Sequence, residues 1–473
     1  EIMNTRGEQL EKHEVLKATL MSKLQPEEHS LFHRIWEACA DMNSYVQMKF
    51  SVENRTILFG KNWRELQFDQ FDSLREALFK QKDGEQKSKE NSAPLTLNRL
   101  FEDAKKGSKY GQSEVGSEGT GEQERFGSII NFPNFLLQVL KVCYHRSEFY
   151  QEKIDEQIRL DDKDLIPIFE TVLRSLDNEE KQAEFVKFFI IKLLFLRTQY
   201  DRYVIKREEN NGTESWSLKT IQKYDKNKVD YVNTFSDEGG DAKAVRLLEA
   251  MFHVSAPTQI YKHWLNALLH ALNRDEPVTA SFLRNLLYNL ACSFMLDIYL
   301  AKEKTTFEDI VYRQKGKPAH DLNNIDWGRI DQGCSVHNFI FNFYDFITWQ
   351  NAPQKYPKFE FSYRTSVEHF YPQKPMKGYD CLNEDVLHSF GNLCLISSSM
   401  NSKFSNNMPK AKLANFGLDE EVRNGLSLKL LEMMDVVKVK GDWSENEIKV
   451  FNEEAKQRFQ EALSIRGESA VAI

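Results

Sequence analysis

The chain has 473 residues and a formal charge of −8, with 41% hydrophobic and 28% charged residues. That usage excludes a wholly disordered or low-complexity chain, and the mild acidity argues against a protein that coats nucleic acid through bulk charge, while leaving room for a local DNA site. At about 150 residues per domain, the length suggests roughly three domains' worth of material.

A mean hydropathy of −0.56 and the lack of an 18-residue apolar run speak against a membrane span. The most apolar stretch, Phe185 to Leu196, carries Lys187 and Lys192 and reads as a buried helix. The six cysteines, Cys39, Cys143, Cys292, Cys334, Cys381 and Cys394, show no Cys-x-x-Cys spacing. A structural zinc site and a disulfide framework are therefore not expected, and a reducing cytoplasm fits. No signal peptide is visible, and a start at Glu1 suggests that natural sequence precedes it.

In chain order, Leu10, Val15, Leu16, Leu20 and Leu24 recur at near-helical spacing, and a second amphipathic run covers Pro26 to Val46. The charged stretch Lys82 to Glu90 and the Gly/Ser-rich stretch Gly107 to Gly121 read as a mobile surface insertion near 82–125. Helices are expected over Pro133–Tyr144 and Asn178–Tyr200. A hairpin is expected where Asn211-Gly212 separates Tyr203-Val204-Ile205 from Trp216-Ser217-Leu218. Ser281 to Leu300 carries a helical apolar stripe, and no internal repeat is present.

The C-terminal part changes character. Phe359 to Arg364 alternates like a strand, a loop with Pro372, Pro375 and Gly378 follows, and Leu393-Cys394-Leu395-Ile396 reads as a second strand. Ser444-x-x-Glu447 forms a capping box for a last helix striped by Ile448, Phe451, Ala455, Phe459 and Ala462. The expected class is mainly α, with a C-terminal α+β domain.

The chemistry concentrates between Val367 and Lys412. Glu368-His369 falls at a strand end, Asn392 at the start of the next strand, and Asn401 nine residues later on a turn or helix. Strand, strand, helix is the ββα arrangement of a one-metal nuclease. Such a site needs oxygen ligands for Mg²⁺ (or Mn²⁺) and an imidazole to take a proton from water. Glu368 can supply a carboxylate, Asn401 an amide oxygen and His369 the base. Between Val386 and Leu418 there is no Asp or Glu, while Lys403, Lys410 and Lys412 contribute +3. Cations beside a metal site are what a DNA backbone would meet; a solvated helix face is the plainer reading.

This segment closely resembles the HNH-like C-terminal nuclease domain of GmrSD-type, modification-dependent (type IV) restriction enzymes and their phage-defence relatives. The residues that carry the resemblance are Glu368-His369-Phe370-Tyr371-Pro372-Gln373, Gly391-Asn392-Leu393, Asn401, Ser405-Asn406 and Lys412. It implies that His369 is the general base, that Asn392 holds the His369 ring, and that Glu368 and Asn401 bind the metal. Phe370 replaces the usual aliphatic residue, and Glu368 is longer than the Asp common in other HNH nucleases. Gln373 and Lys412 are read either as phosphate contacts or as solvated surface, alongside Lys403 and Lys410. His388 is read as packing or DNA-facing, or as a spare ligand. His320 and His337 default to ordinary polar residues.

A second resemblance lies at the other end. Met3-Asn4-Thr5-Arg6-Gly7-Glu8-Gln9-Leu10 with Leu16-Lys17 looks like the late motif of the ParB-like domain that precedes this nuclease in the same family. That domain's Asp-Gly-Gln-Gln-Arg motif is missing from the chain, as is a Gly-x-x-x-x-Gly-Lys phosphate loop. An NTP is therefore expected as a partner only with an upstream domain present. Asn4 and Arg6 would then touch the nucleotide, a turn or helix-cap role being the alternative.

The expected organisation is the tail of a ParB-like domain over 1–25, a helical middle region over 26–335 and an HNH-like nuclease domain over 336–473. The expected function is a metal-dependent DNA endonuclease acting on phage or modified DNA in a cytoplasmic bacterial defence system. The competing reading is a helical nucleic-acid or nucleotide-sensing module with a non-catalytic nuclease fold. An RNase is a further possibility.

Overall fold

The computed structural model describes residues 11–85, 125–145, 147–210, 213–225, 228–236, 240–259, 262–313, 318 and 320–464. Asn4, Arg6, Asn211 and Gly212 lie outside them, as does the segment expected as an insertion except at its two ends. The chain forms two compact units, 1–234 and 235–473. Among the described residues no helix is long and apolar enough to cross a membrane, and the secondary structure is mainly α.

The first unit contains α1 (Lys12–Met21), α2 (His29–Ala40), α3 (Val52–Phe59), α4 (Phe71–Glu85), α5 (Phe132–His145), α6 (Glu152–Asp155), α7 (Leu165–Arg174) and α8 (Glu179–Tyr203). Helix α8 is its spine, packed against α2, α4 and α5. Asn178 caps it by accepting from the Lys181 amide at 2.8 Å, which satisfies one of the free N–H groups of the first turn. Phe185, Phe189, Leu193 and Leu196 are fully buried, while Lys187 stays at the rim and pairs with Glu28 at 2.6 Å. Near its end the wholly buried Arg197 and Asp201 pair one turn apart. Arg197 donates to the carbonyls of Asp41 and Ser44 at 2.9 and 2.8 Å, and Asp201 accepts from the Val46 amide at 2.7 Å. The charges are thus spent on fixing segment 41–46 to the spine.

Strands β1 (Phe126–Gly127), β2 (Lys206–Asn210) and β3 (Thr213–Ser217) form one antiparallel sheet in that order, and β4 (Lys219–Lys223) pairs with β5 (Val229–Asn233). The expected ribbon exists, but its ladder runs from Lys206↔Ser217 to Asn210↔Thr213. It lies mostly between the apolar triplets that signalled it. Tyr203 closes α8, and Val204 and Ile205 are buried at the ribbon's root, so their apolarity marks burial rather than pairing. The β4–β5 hairpin has no comparable sequence signal. Its Ile221 packs with Tyr45 and Phe126.

The second unit contains α9 (Asp241–Ser255), α10 (His263–Leu272), α11 (Ala280–Phe294), α12 (Asn338–Asn351), β6 (Ser366–His369), α13 (Glu384–Leu387), β7 (Leu393–Ile396), α14 (Ser398–Phe404), α15 (Pro409–Phe416), α16 (Glu420–Asn424), α17 (Leu428–Lys440) and α18 (Glu445–Ser464). Helix α9 packs on α11 and α12, and α12 packs on α17 and α18. The helix expected over 281–300 gives way at Met295 to a π-turn ending at Tyr299. That turn contains Asp297, fully buried, whose carboxylate accepts from the backbone N–H of His320 at 2.9 Å. His320 Nδ1 lies 3.0 Å from the same oxygen. Sequence spacing did not offer His320 this acidic partner.

The strand expected over Phe359–Arg364 is not formed; pairing begins at Ser366. Phe359 and Phe361 are buried, and Arg364 is buried with its guanidinium donating to the carbonyls of Gly425 and Leu426, each at 3.0 Å. Alternation here reflects side chains inserted among helices. At the last helix the Ser444 amide donates to Glu447 at 3.2 Å, one half of the expected capping box. The Ser444 hydroxyl turns to the same carboxylate.

Candidate active site

Strands β6 and β7 pair antiparallel in the register Ser366↔Ile396, Val367↔Leu395, Glu368↔Cys394 and His369↔Leu393. Glu368 and His369 therefore close β6, where the motif put them. Helix α14, which follows β7, packs against β6 and is tied to it through Thr365 and Ser398, whose hydroxyls are 3.3 Å apart. Asn401 sits in the middle of this helix, so the helix carrying one expected metal ligand lies against the strand carrying the other.

The His369 ring is buried. Its Nε2 is 3.1 Å from Nδ1 of His388, with the two rings crossed at 73°. Its Nδ1 is 3.8 Å from Sγ of Cys334, a weak contact at most. Burial, then the neighbouring His388 and Lys412, pull its pKa down to about 4. The imidazole is thus neutral in the neutral pH range and able to accept a proton.

The geometry corrects two expected roles. Asn392 does not touch the His369 ring. Fully buried, it accepts from the Tyr371 amide at 2.8 Å and from Trp443 Nε1 at 3.3 Å, and donates to the carbonyls of Tyr371 at 3.1 Å and Leu387 at 3.0 Å. Its backbone carbonyl accepts from Phe370 at 2.7 Å. Asn392 is a polar spacer that fixes the chain just after His369. Lys412 is not on the surface either. It is 1% exposed and its ammonium donates to the carbonyls of His369 and Phe370 at 2.8 and 2.9 Å. Burial lowers its pKa to about 8. Lys403, Lys410 and Gln373 are exposed, so the outward cationic charge from this stretch comes from Lys403 and Lys410.

Residues without a motif signal complete the frame. Lys429, fully buried, donates to the carbonyls of Phe390 at 2.7 Å and Leu393 at 2.5 Å, bracketing Gly391-Asn392. Gly391 is needed for close approach: a Cβ there would lie 2.4 Å from the Ile448 carbonyl oxygen on α18. Its amide donates to Asn452 at 2.8 Å. Ser405 ends α14 with φ +43°.

Residues 319–454 match the family described as GmrSD restriction endonucleases, C-terminal domain. This segment is similar to the C-terminal domain of GmrSD-type restriction endonucleases. Comparisons with curated proteins and with solved structures give no match.

The segment has a donor set that suits a hard cation. Among the described residues no three His, Cys, Asp or Glu side chains form a metal-holding group. The half-buried Glu368 carboxylate and the half-buried Asn401 amide make no hydrogen bond or ion pair among those residues. One carboxylate and one amide oxygen, with waters filling the remaining positions, are what Mg²⁺ accepts. The Glu368 charge also acts on its surroundings. After burial, it is what raises the Cys334 thiol above its ordinary pKa.

Proposed function

We propose that this domain is an HNH-like, metal-dependent endonuclease that hydrolyses phosphodiester bonds in DNA. Strands β6 and β7 with helix α14 would form its ββα element. The observation that carries the reading is the buried imidazole of His369 at the end of β6, preceded in the strand by Glu368, whose half-buried carboxylate makes no hydrogen bond or ion pair among the described residues. His369 takes the proton of the attacking water, a role worth roughly 10²–10⁴ in rate. Glu368 and Asn401 would hold Mg²⁺ or Mn²⁺, which would supply a Lewis acid for the charge that develops on the leaving oxygen. Lys403 and Lys410 neutralise backbone phosphates, and Gln373 contacts the same strand. Asn392, Lys412 and Lys429 keep the reacting segments in register.

The similarity to restriction endonucleases supports DNA as the substrate class; the proposal further takes that DNA to be modified or of phage origin, attacked inside a bacterial cytoplasm as a defence. The test is nicking of supercoiled plasmid, with and without modified cytosine, in Mg²⁺ or Mn²⁺. Wild type should nick and His369→Ala should lose activity while keeping its fold and its DNA affinity. Equal activity of the two proteins would overturn the reading.

A further inference from the structure

We infer that His388 is the positioning residue of His369: its Nδ1 accepts the Nε2–H of His369 and so leaves Nδ1 of His369 as the nitrogen that takes the water proton. The inference rests on the nuclease reading above. It fills the place that the motif resemblance gave to Asn392, whose side chain is fully engaged by Tyr371, Leu387 and Trp443.

A neutral imidazole carries one N–H, and the better hydrogen bond decides which nitrogen holds it. The two neighbours of His369 differ in strength. Nε2 is 3.1 Å from His388 Nδ1, an ordinary N–H···N distance, whereas Nδ1 meets only the Cys334 sulfur at 3.8 Å. Were His388 the donor, the lone pair on Nε2 would be spent on it and Nδ1 would carry the proton. No nitrogen would then be left to act on water. With His369 as donor, the Nδ1 lone pair faces the side of Cys334, an exposed residue whose thiol lies in the field of the Glu368 charge. The free Nδ1 lone pair then faces the exposed Cys334, the route by which water can reach it. The Nε2 proton stays in place while Nδ1 gains the proton of the water.

The chain is built around the His388 nitrogen. The Gly333 amide donates to the His388 carbonyl at 3.0 Å, and the His388 amide donates to Glu384 at 2.9 Å. Gly333 has φ +57°, and a Cβ on it would stand 2.7 Å from His388 Nδ1. A side chain at 333 would therefore push the ring away from His369. Two segments 55 positions apart (388 − 333) are fitted to one hydrogen bond.

The experiment compares plasmid nicking and DNA affinity of the full chain in Mn²⁺ for wild type, His388→Phe, His388→Gln, Gly333→Ala and His369→Ala. Loss of such an orienting partner costs on the order of 10–100-fold. We expect His388→Phe and Gly333→Ala to lose that much in kcat, with KM for DNA within about twofold. His388→Gln, which keeps an acceptor, should recover most of the loss. A merely structural role would spare the ring-shaped Phe more than Gln. A second readout needs no variant: ¹⁵N-histidine spectra of the wild-type chain should show His369 as the Nε2–H tautomer. An Nδ1–H tautomer, or His388→Phe at wild-type kcat while His369→Ala is inactive, would overturn this inference and leave the nuclease reading standing. An active His369→Ala, or a wild type that nicks no plasmid, would remove the nuclease reading and this inference with it.

Discussion

The ammonium of Lys412 lies 2.8 Å from the backbone carbonyl oxygen of His369. A lysine that composition alone would send to solvent thus holds the main chain of the proposed base, 43 residues away. Buried charge is tolerated only where hydrogen bonds replace water, and here the carbonyls of His369 and Phe370 replace it.

Substitution at Lys412 should therefore differ in kind from substitution at the exposed lysines. Lys412→Met strands two buried carbonyls, a loss on the order of 1–3 kcal/mol for each unpaired group, and should leave the salt dependence of DNA binding unchanged. Lys403→Ala and Lys410→Ala should each weaken binding at low salt and reduce the slope of log K against log[salt] by about 1, with stability unchanged. Denaturant melts and salt titrations of all three variants check this; a reduced salt slope for Lys412→Met would put its ammonium back on the DNA.

Gly391→Ala should destabilise the second unit. The added methyl would meet a helix carbonyl at 2.4 Å and the Asn452 Cβ at 2.9 Å. The backbone of α18 cannot give way as a flexible side chain can. Overpacking of this kind costs typically about 1–3 kcal/mol, to be read as a lowered urea midpoint. An unchanged midpoint would mean that α18 shifts freely.

Asn401→Ala and His369→Ala should separate in a metal titration. The first removes a ligand from a site that holds its cation through few protein groups. Its nicking should need more metal and recover in part at high Mn²⁺. The second removes the proton acceptor, and no metal concentration should restore it. Recovery of His369→Ala alone would exchange the two roles.

Lys429 gives a pH dependence of stability. Burial chiefly lowers its pKa from 10.5 to about 7. Between those values the unfolded chain binds more protons at this site than the folded one, so stability rises with pH across that window. The slope approaches about 1.4 kcal/mol per pH unit for one such group. Lys429→Met has no such proton to bind. Urea unfolding at pH 7, 8 and 9 should show wild type gaining on the variant at each step, and parallel profiles would refute the assignment.

What the sequence determined by itself is local in origin. The periodicity of α5 and α8, the half of the Ser444 capping box that forms, the second site strand and the position of Glu368-His369 at a strand end depend on residues within a few positions of one another. The motif also brought Asn401 to a helix packed on that strand. The tertiary structure decided everything that depends on distant partners. Alternation over Phe359–Arg364 could not say that the phenylalanines enter a helical core instead of a ladder. The spacing of Asn392 could not say that its amide would be used up on Tyr371, Leu387 and Trp443. Nor could composition show that Lys412 and Lys429 point inward, because a lysine turns to the core only where folding supplies carbonyl oxygens to meet it. The contact between His369 and His388, with Gly333 cleared for it, arises when segments far apart in the chain close on one nitrogen.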